Sequence, residues 1–165
     1  MRIATATTET PVSSLHAPLQ VRRAQPTDLD ALVALEQSSF SSDRMSRAQY
    51  RRHLDSASAL VLIAIAEHRI VGSSMLFFRK HSRSARLYSL ATLPQARGRG
   101  VGSSLLGAVE VAARARHCDV LRLEVRADNA HAIALYARMG YRRTRHLARY
   151  YEDGADGWQY VKRLD

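Results

Sequence analysis

The chain has 165 residues, with 25 lysines and arginines against 15 aspartates and glutamates, a net charge of +10, and 46% apolar residues. That length suits one domain able to bury roughly 70% of the surface its unfolded form would expose. No apolar run approaches the 18 or so residues of a membrane span, and the single cysteine, Cys118, cannot close an internal disulfide and reads as a small buried residue of a reducing compartment.

The basic excess could serve nucleic acid, a ribosome or an anionic cofactor. It is almost all arginine, however, because Lys80 and Lys162 are the only lysines, and it is scattered along the chain without a single-sign tail or an aromatic-interleaved basic repeat. No nucleic-acid partner is required by it. Residues 1–19 mix Thr, Ser, Ala and Pro without the apolar core of a secretory signal, so they read as a flexible tail on a cytoplasmic protein whose one domain spans residues 20–165.

In chain order, residues 19–24 read as a strand. Thr27 is placed to cap a helix with Asp28 and Asp30 in its first turn and Leu29, Leu32 and Val33 on its apolar face. Residues 40–44 break that pattern, and Ser46 with Gln49 forms a capping box for a second helix carrying Tyr50 and Leu54. Residues 60–66 and 70–78 are two apolar, β-branched runs joined by Glu67, His68 and Arg69, a hairpin of buried strands. Residues 85–93 make a fourth strand, stopped by Pro94. A helix over residues 100–117 puts Val101, Leu105, Ala108, Val109 and Ala112 on one face and Glu110 and Arg114 on the other.

Residues 120–126 alternate, with Leu121, Leu123 and Val125 on one side and Arg122, Glu124 and Arg126 on the other. Asp128 or Asn129 caps a helix over residues 130–139, which Gly140 ends. Residues 141–148 and 158–163 read as the last two strands, separated by a loop. Strands joined partly by helices and partly by hairpins imply a mixed sheet in a three-layer α/β domain, about seven strands flanked by about four helices.

Two stretches carry chemistry. Gly98, Gly100 and Gly102 lie between the fourth strand and the helix that follows, where free amides and a positive dipole end favour an anion. The spacing fits neither the dinucleotide fingerprint, which needs G-x-G-x-x-G, nor a P-loop, which needs Gly-Lys-Ser/Thr. Further on, Glu124 is a carboxylate on a strand otherwise rich in apolar residues and Tyr136 a phenol in the helix after it. Taken alone, Glu124 could pair with Arg122 or Arg126, and Tyr136 could be a core aromatic.

The pattern Arg97-x-x-Gly100-x-Gly102, followed by Leu123-Glu124-Val125-Arg126-x-x-Asn129-x-x-Ala132-x-x-Leu135-Tyr136-x-x-x-Gly140-Tyr141, resembles the GNAT superfamily. Within it, the pattern is similar to the ribosomal-protein-alanine and related protein N-terminal acetyltransferases. The resemblance implies direct, metal-free acetyl transfer from acetyl-CoA to a primary amine. It assigns Glu124 as proton acceptor and Tyr136 as proton donor to the leaving sulfur. It places the backbone of Leu90, Ala91 and Thr92 along the pantetheine arm, and Arg97, Gly98, Arg99, Gly100, Val101, Gly102 and Ser103 around the pyrophosphate. Asn129 would contact the coenzyme where the fourth and fifth strands part.

Phe40, Tyr150 and Tyr151 match positions on the acceptor side. The acceptor then expected is a protein or peptide N-terminal α-amine, a ribosomal protein among the possible partners. A small amine such as a polyamine, amino acid or antibiotic is the alternative, and a non-catalytic RNA- or ribosome-binding module a more distant one. The segment 40–45 lacks the Pro-Trp of the ribosomal-protein enzyme, and Ala96 stands where an aromatic usually precedes the loop.

Overall fold

The computed structural model describes residues 2–3 and 18–165. Its elements run β1 (Arg2–Ile3), β2 (Gln20–Arg23), α1 (Leu29–Ser39), α2 (Arg47–Asp55), β3 (Ala59–Ala66), β4 (Arg69–Phe78), β5 (Ser84–Thr92), α3 (Val101–Ala115), β6 (Val120–Arg126), α4 (Ala130–Arg138), β7 (Arg142–Leu147) and β8 (Gly157–Arg163). Seven strands follow the order β2-β3-β4-β5-β6-β8-β7, and β1 pairs with β5 off that path. The mixed sheet and four helices are the expected three-layer α/β architecture.

Alternation along the strands builds the two faces. In β3, Leu60, Leu62 and Ala64 join the core under α3 and α4, which includes Leu105, Leu106, Val109 and Leu135. Val61 and Ile63 point the other way, into the core under α1 and α2 with Leu29, Leu32, Met45 and Tyr50. Each fully buried leucine contributes about 1.5–3 kcal/mol of transfer free energy, and the period of two is why one strand can feed both layers.

Helix boundaries follow local chemistry with one exception. Ser46 accepts from Gln49 N in the expected capping box, and Asn129 starts α4 by accepting from Ala132 N. Thr27 does not cap α1. Residues 26–28 form a 3-10 turn, and Asp28 at the helix start is held by Arg22 and by Gln25 N instead. Glu110 also departs from expectation: it is buried, because Lys162 donates to both its oxygens at 2.8 and 2.9 Å and the Tyr141 hydroxyl donates at 3.2 Å. Cys118 is buried as expected, and burial pushes its thiol pKa up.

The feature that positions the site is a split in the sheet. β5 and β6 are parallel and pair only from Ser84/Val120 to Leu87/Leu123. At Tyr88 the β4–β5 register slips, Met75 facing Ser89 while Leu76 faces Leu87, so Tyr88 is an extra residue that bends β5. Beyond it β5 stays with β4, whereas β6 stays with β8 through Glu124/Gln159 and Val125/Trp158. The outer edge of β5 thus leaves β6, and Arg2 and Ile3 take it, pairing in parallel with Ser89 and Leu90. Residues 4–17, most of the stretch expected to be a flexible tail, lie outside the described residues.

Candidate active site

One groove opens where β5 runs into α3. Pro94 ends the strand's pairing, and Gly98 and Gly100 follow with φ of 75° and 77°, a left-handed backbone that glycine adopts without a Cβ penalty. Gly100 is the N-cap of α3, and the first intrahelical bond there is Ser104 N to Gly100 O at 2.9 Å. The amides of Val101, Gly102 and Ser103 come before any such partner, at the positive end of a 15-residue helix.

The groove, of about 120 Å³, is lined by Leu90, Thr92, Arg97, Gly98 and residues 100–103. His131 and Arg138 on α4 stand across it, and sequence reasoning did not assign them. Their spacing of seven, two turns along one helix face, was the available signal. Burial pulls the Arg97 guanidinium below its usual pKa.

Close packing sets where this helix start lies. A Cβ on Gly72 of β4 would fall 2.7 Å from Val101 Cγ1 and 2.9 Å from the Ala91 carbonyl oxygen, and one on Gly102 would fall 3.0 Å from Leu135 Cδ2. Added Cβ atoms at Gly98 and Gly100 would meet nothing within 4 Å among the described residues, so those positions keep their outer face open to a ligand. Free amides, open left-handed glycines and flanking cations suit a pyrophosphate. Arg99 is exposed on the same loop.

Glu124 lies just past the point of the split. Its ion-pair partner comes from the neighbouring strand: Arg86 of β5 reaches across and donates from Nε to Oε2 at 3.0 Å. Arg126 is engaged elsewhere, with Asp128 and Asp153. Arg86 Nη2 also donates to the Tyr150 hydroxyl at 3.2 Å. Burial opposes charge on Arg86, yet the Glu124 carboxylate, by its field and its hydrogen bond, leaves the guanidinium pKa raised. Glu124 is 6% exposed, although it shares its side of β6 with the exposed Arg122.

Tyr136 is fully buried beside Tyr141 and Tyr160, with ring centroids 5.6 and 6.2 Å away. Burial, with added contributions from Tyr141 and Tyr151, raises its hydroxyl pKa well above the usual phenol value. Tyr151 is raised as well, by burial first and then by Tyr150 and Glu124. Asn129 is buried and serves α4 as its cap, its oxygen accepting from Ala132 N at 3.2 Å.

A second cleft, of about 380 Å³, lies between residues 39–43 at the C-terminal end of α1 and the hairpin between β7 and β8, where Tyr151 and Asp153 line it. Asn129 and Phe40 line this cleft and not the groove at the glycines, and Arg2 forms part of its wall. Tyr150 is 43% exposed and meets Tyr151 edge-on at 5.1 Å. Gly157 lets the pair lie close, since a Cβ there would approach Tyr151 Cε2 to 3.2 Å. The structure places most of the expected residues in three parts, the anion groove, the Arg86–Glu124–Tyr150 cluster and the second cleft, while Tyr136 lies in the core and lines neither cavity.

A mixed sheet split along a parallel pair, with an amide-rich helix start at its mouth, is the frame of an acyl-coenzyme A-dependent transferase. The chain belongs to the Acetyltransferase (GNAT) family, whose model matches residues 29–141. It is an N-acetyltransferase with acetyl-CoA as donor. It is 31% identical over 147 residues to an uncharacterized N-acetyltransferase of Methanocaldococcus jannaschii, covering 87% of this chain and 90% of that protein. An N-alpha-acetyltransferase of Sulfurisphaera tokodaii is 25% identical over 150 residues, covering 84% and 89% respectively. The solved ribosomal-protein-alanine N-acetyltransferase from Brucella melitensis superposes with a TM-score of 0.75 at 27% identity, covering 88% of this chain and 99% of that one.

Proposed function

We propose that this acetyltransferase acts on the α-amine of a protein or peptide. The observation that supports the reading is that an extended backbone already reaches the acceptor-side cleft: Arg2 and Ile3 lie along Ser89 and Leu90 as a strand, and Arg2 lines the cleft with Phe40 and Tyr151. A cleft entered by extended backbone suits a peptide better than a polyamine or single amino acid, which has no backbone to lay along a strand. The names of the similar proteins from Sulfurisphaera tokodaii and Brucella melitensis point the same way.

In this reading Gly98, Gly100 and the amides at the start of α3 hold the pyrophosphate, aided by Arg97 and by Arg138 opposite. Bound acetyl-CoA supplies the activated acyl group as a thioester. Leu90, Ala91 and Thr92 align the coenzyme arm, and a β5 amide orients the carbonyl for attack. Glu124 accepts the proton that the acceptor amine must lose, and its ion pair with Arg86 fixes the carboxylate's position. Tyr136 is protonated at neutral pH, as any phenol is and the more so for its burial, and it donates to the departing sulfur. Phe40, Tyr150 and Tyr151 flank the acceptor. No covalent acetyl-enzyme is needed, since donor and amine held together supply much of the rate.

The test is acetyl-CoA turnover across N-terminal peptides, internal-lysine peptides and small amines. N-terminal peptides should give the highest kcat/KM. A tenfold advantage for any small amine would replace this reading with the small-molecule one.

A further inference from the structure

Arg2 enters the protein's interior with its charge. The guanidinium is 8% exposed, its Nη1 donates to Glu36 Oε1 and to the Asp43 carbonyl, and its plane lies over Phe40 at 4.7 Å and Tyr88 at 5.4 Å. The receptor is built independently of it. Glu36, on the last turns of α1 and 2% exposed, accepts from Met45 N at 2.6 Å and from the Tyr50 hydroxyl at 2.8 Å. A buried carboxylate with two fixed donors and two aromatic faces beside it is a pocket for one cation.

Arg2 fits that pocket imperfectly. Both oxygens that meet it serve the same nitrogen, while Nε and Nη2 are buried with no hydrogen-bond partner among the described residues. Buried unpaired donors are costly. An ammonium, whose three donors sit on one nitrogen, matches a receptor that converges on a single point.

We propose that the Glu36 pocket is an acceptor subsite for a basic side chain, lysine in preference to arginine, and that Arg2 occupies it in cis as a competitor. The inference rests on reading the cleft as a peptide-acceptor site. Phe40 was assigned to the acceptor side from sequence, whereas Glu36 and Tyr88 were not. Arg2 itself lines the open cleft, so an incoming peptide reaches the pocket by displacing one side chain and its two-residue strand.

The experiment is equilibrium binding by fluorescence anisotropy in the absence of acetyl-CoA. The probes are C-terminally labelled alanine hexapeptides carrying one lysine at each of positions one to four, with arginine and norleucine counterparts. Arg2→Ala should bind the best lysine peptide at least tenfold more tightly than the wild-type chain does, and at least tenfold more tightly than the norleucine peptide, with arginine between. Equal affinity for lysine and norleucine peptides in Arg2→Ala would overturn the proposal, as would no gain over the wild-type chain.

Glu36→Gln should abolish the discrimination. Because Glu36 also holds Tyr50 and Met45, Tyr88→Leu provides a second variant and should reduce the lysine preference severalfold. Binding that shows this preference without acetylation would leave the subsite standing and remove the acceptor assignment. Acetylation without it would do the reverse.

Discussion

Arg86, within the stretch where β5 and β6 pair, reaches Glu124 just beyond that stretch, Nε 3.0 Å from Oε2, at the edge of the split. The carboxylate assigned to proton transfer is therefore also half of an ion pair that ties the two diverging strands. Removing its charge tests both roles. Glu124→Gln is expected to lower kcat by about 10²–10⁴-fold, the range of a positioned base, with KM for acetyl-CoA nearly unchanged. Steady-state kinetics at neutral pH check this, and a wild-type kcat would leave Glu124 with the ion-pair role alone.

Tyr136→Phe removes one oxygen from a fully buried ring and leaves its contacts with Tyr141 and Tyr160 in place. Turnover is expected to fall about 100-fold with little loss of acetyl-CoA affinity. Single-turnover measurement of free thiol reads the step directly. An unchanged rate would make the hydroxyl structural.

Acid stability has an identifiable source in Asp28. Its hydrogen bonds from Arg22, at 2.8 and 3.0 Å, and then from Gln25 N hold its pKa below the usual carboxylate value against the opposing cost of burial. A depressed folded pKa contributes stability that is present above the unfolded value of about 3.9 and is lost as pH falls through the folded one. Asp28→Asn should cost about 1–3 kcal/mol near neutrality, and its denaturation midpoint should converge with that of the wild-type chain at low pH. Parallel curves across the whole range would argue against Asp28.

Gly72 and Gly100 should fail in different ways. At Gly100 an added Cβ has room but the φ of 77° is unfavourable, so Gly100→Ala is expected to cost about 1–2 kcal/mol through backbone strain. At Gly72 the Cβ would strike Val101 and the Ala91 carbonyl, so Gly72→Ala is expected to cost about 1–3 kcal/mol by overpacking and to move the start of α3. Its signature is a raised KM for acetyl-CoA, measured beside the melting temperature. A stability loss with KM intact would show that the helix start holds its place without Gly72.

Much of this architecture is readable from local pattern. The period of two in β3, the glycines before α3 and the Ser46–Gln49 box all act within a few residues, so sequence shows them directly. What sequence hides depends on distant partners. Glu124 pairs with Arg86, 38 residues away, and not with the arginines two residues to either side. Glu110 fits the polar side of α3 by periodicity, yet Lys162 arrives from β8 to bury it. Glu36 looks like an ordinary helical carboxylate until Met45 N and the Tyr50 hydroxyl fold back on it. A two-residue strand at Arg2–Ile3 has no periodicity at all, and only the gap left by β6 defines it.

The outer edge of β5 at Ser89 and Leu90 has hydrogen-bonding groups for one chain at a time. Residues 2–3 therefore act as a placeholder there. An extended molecule that takes this edge, whether an acceptor backbone or the amide-bearing arm of a coenzyme, does so in exchange for them. Occupancy of the edge is then a competition in which residues 2 and 3, tethered beside it, act as a ligand at high effective concentration.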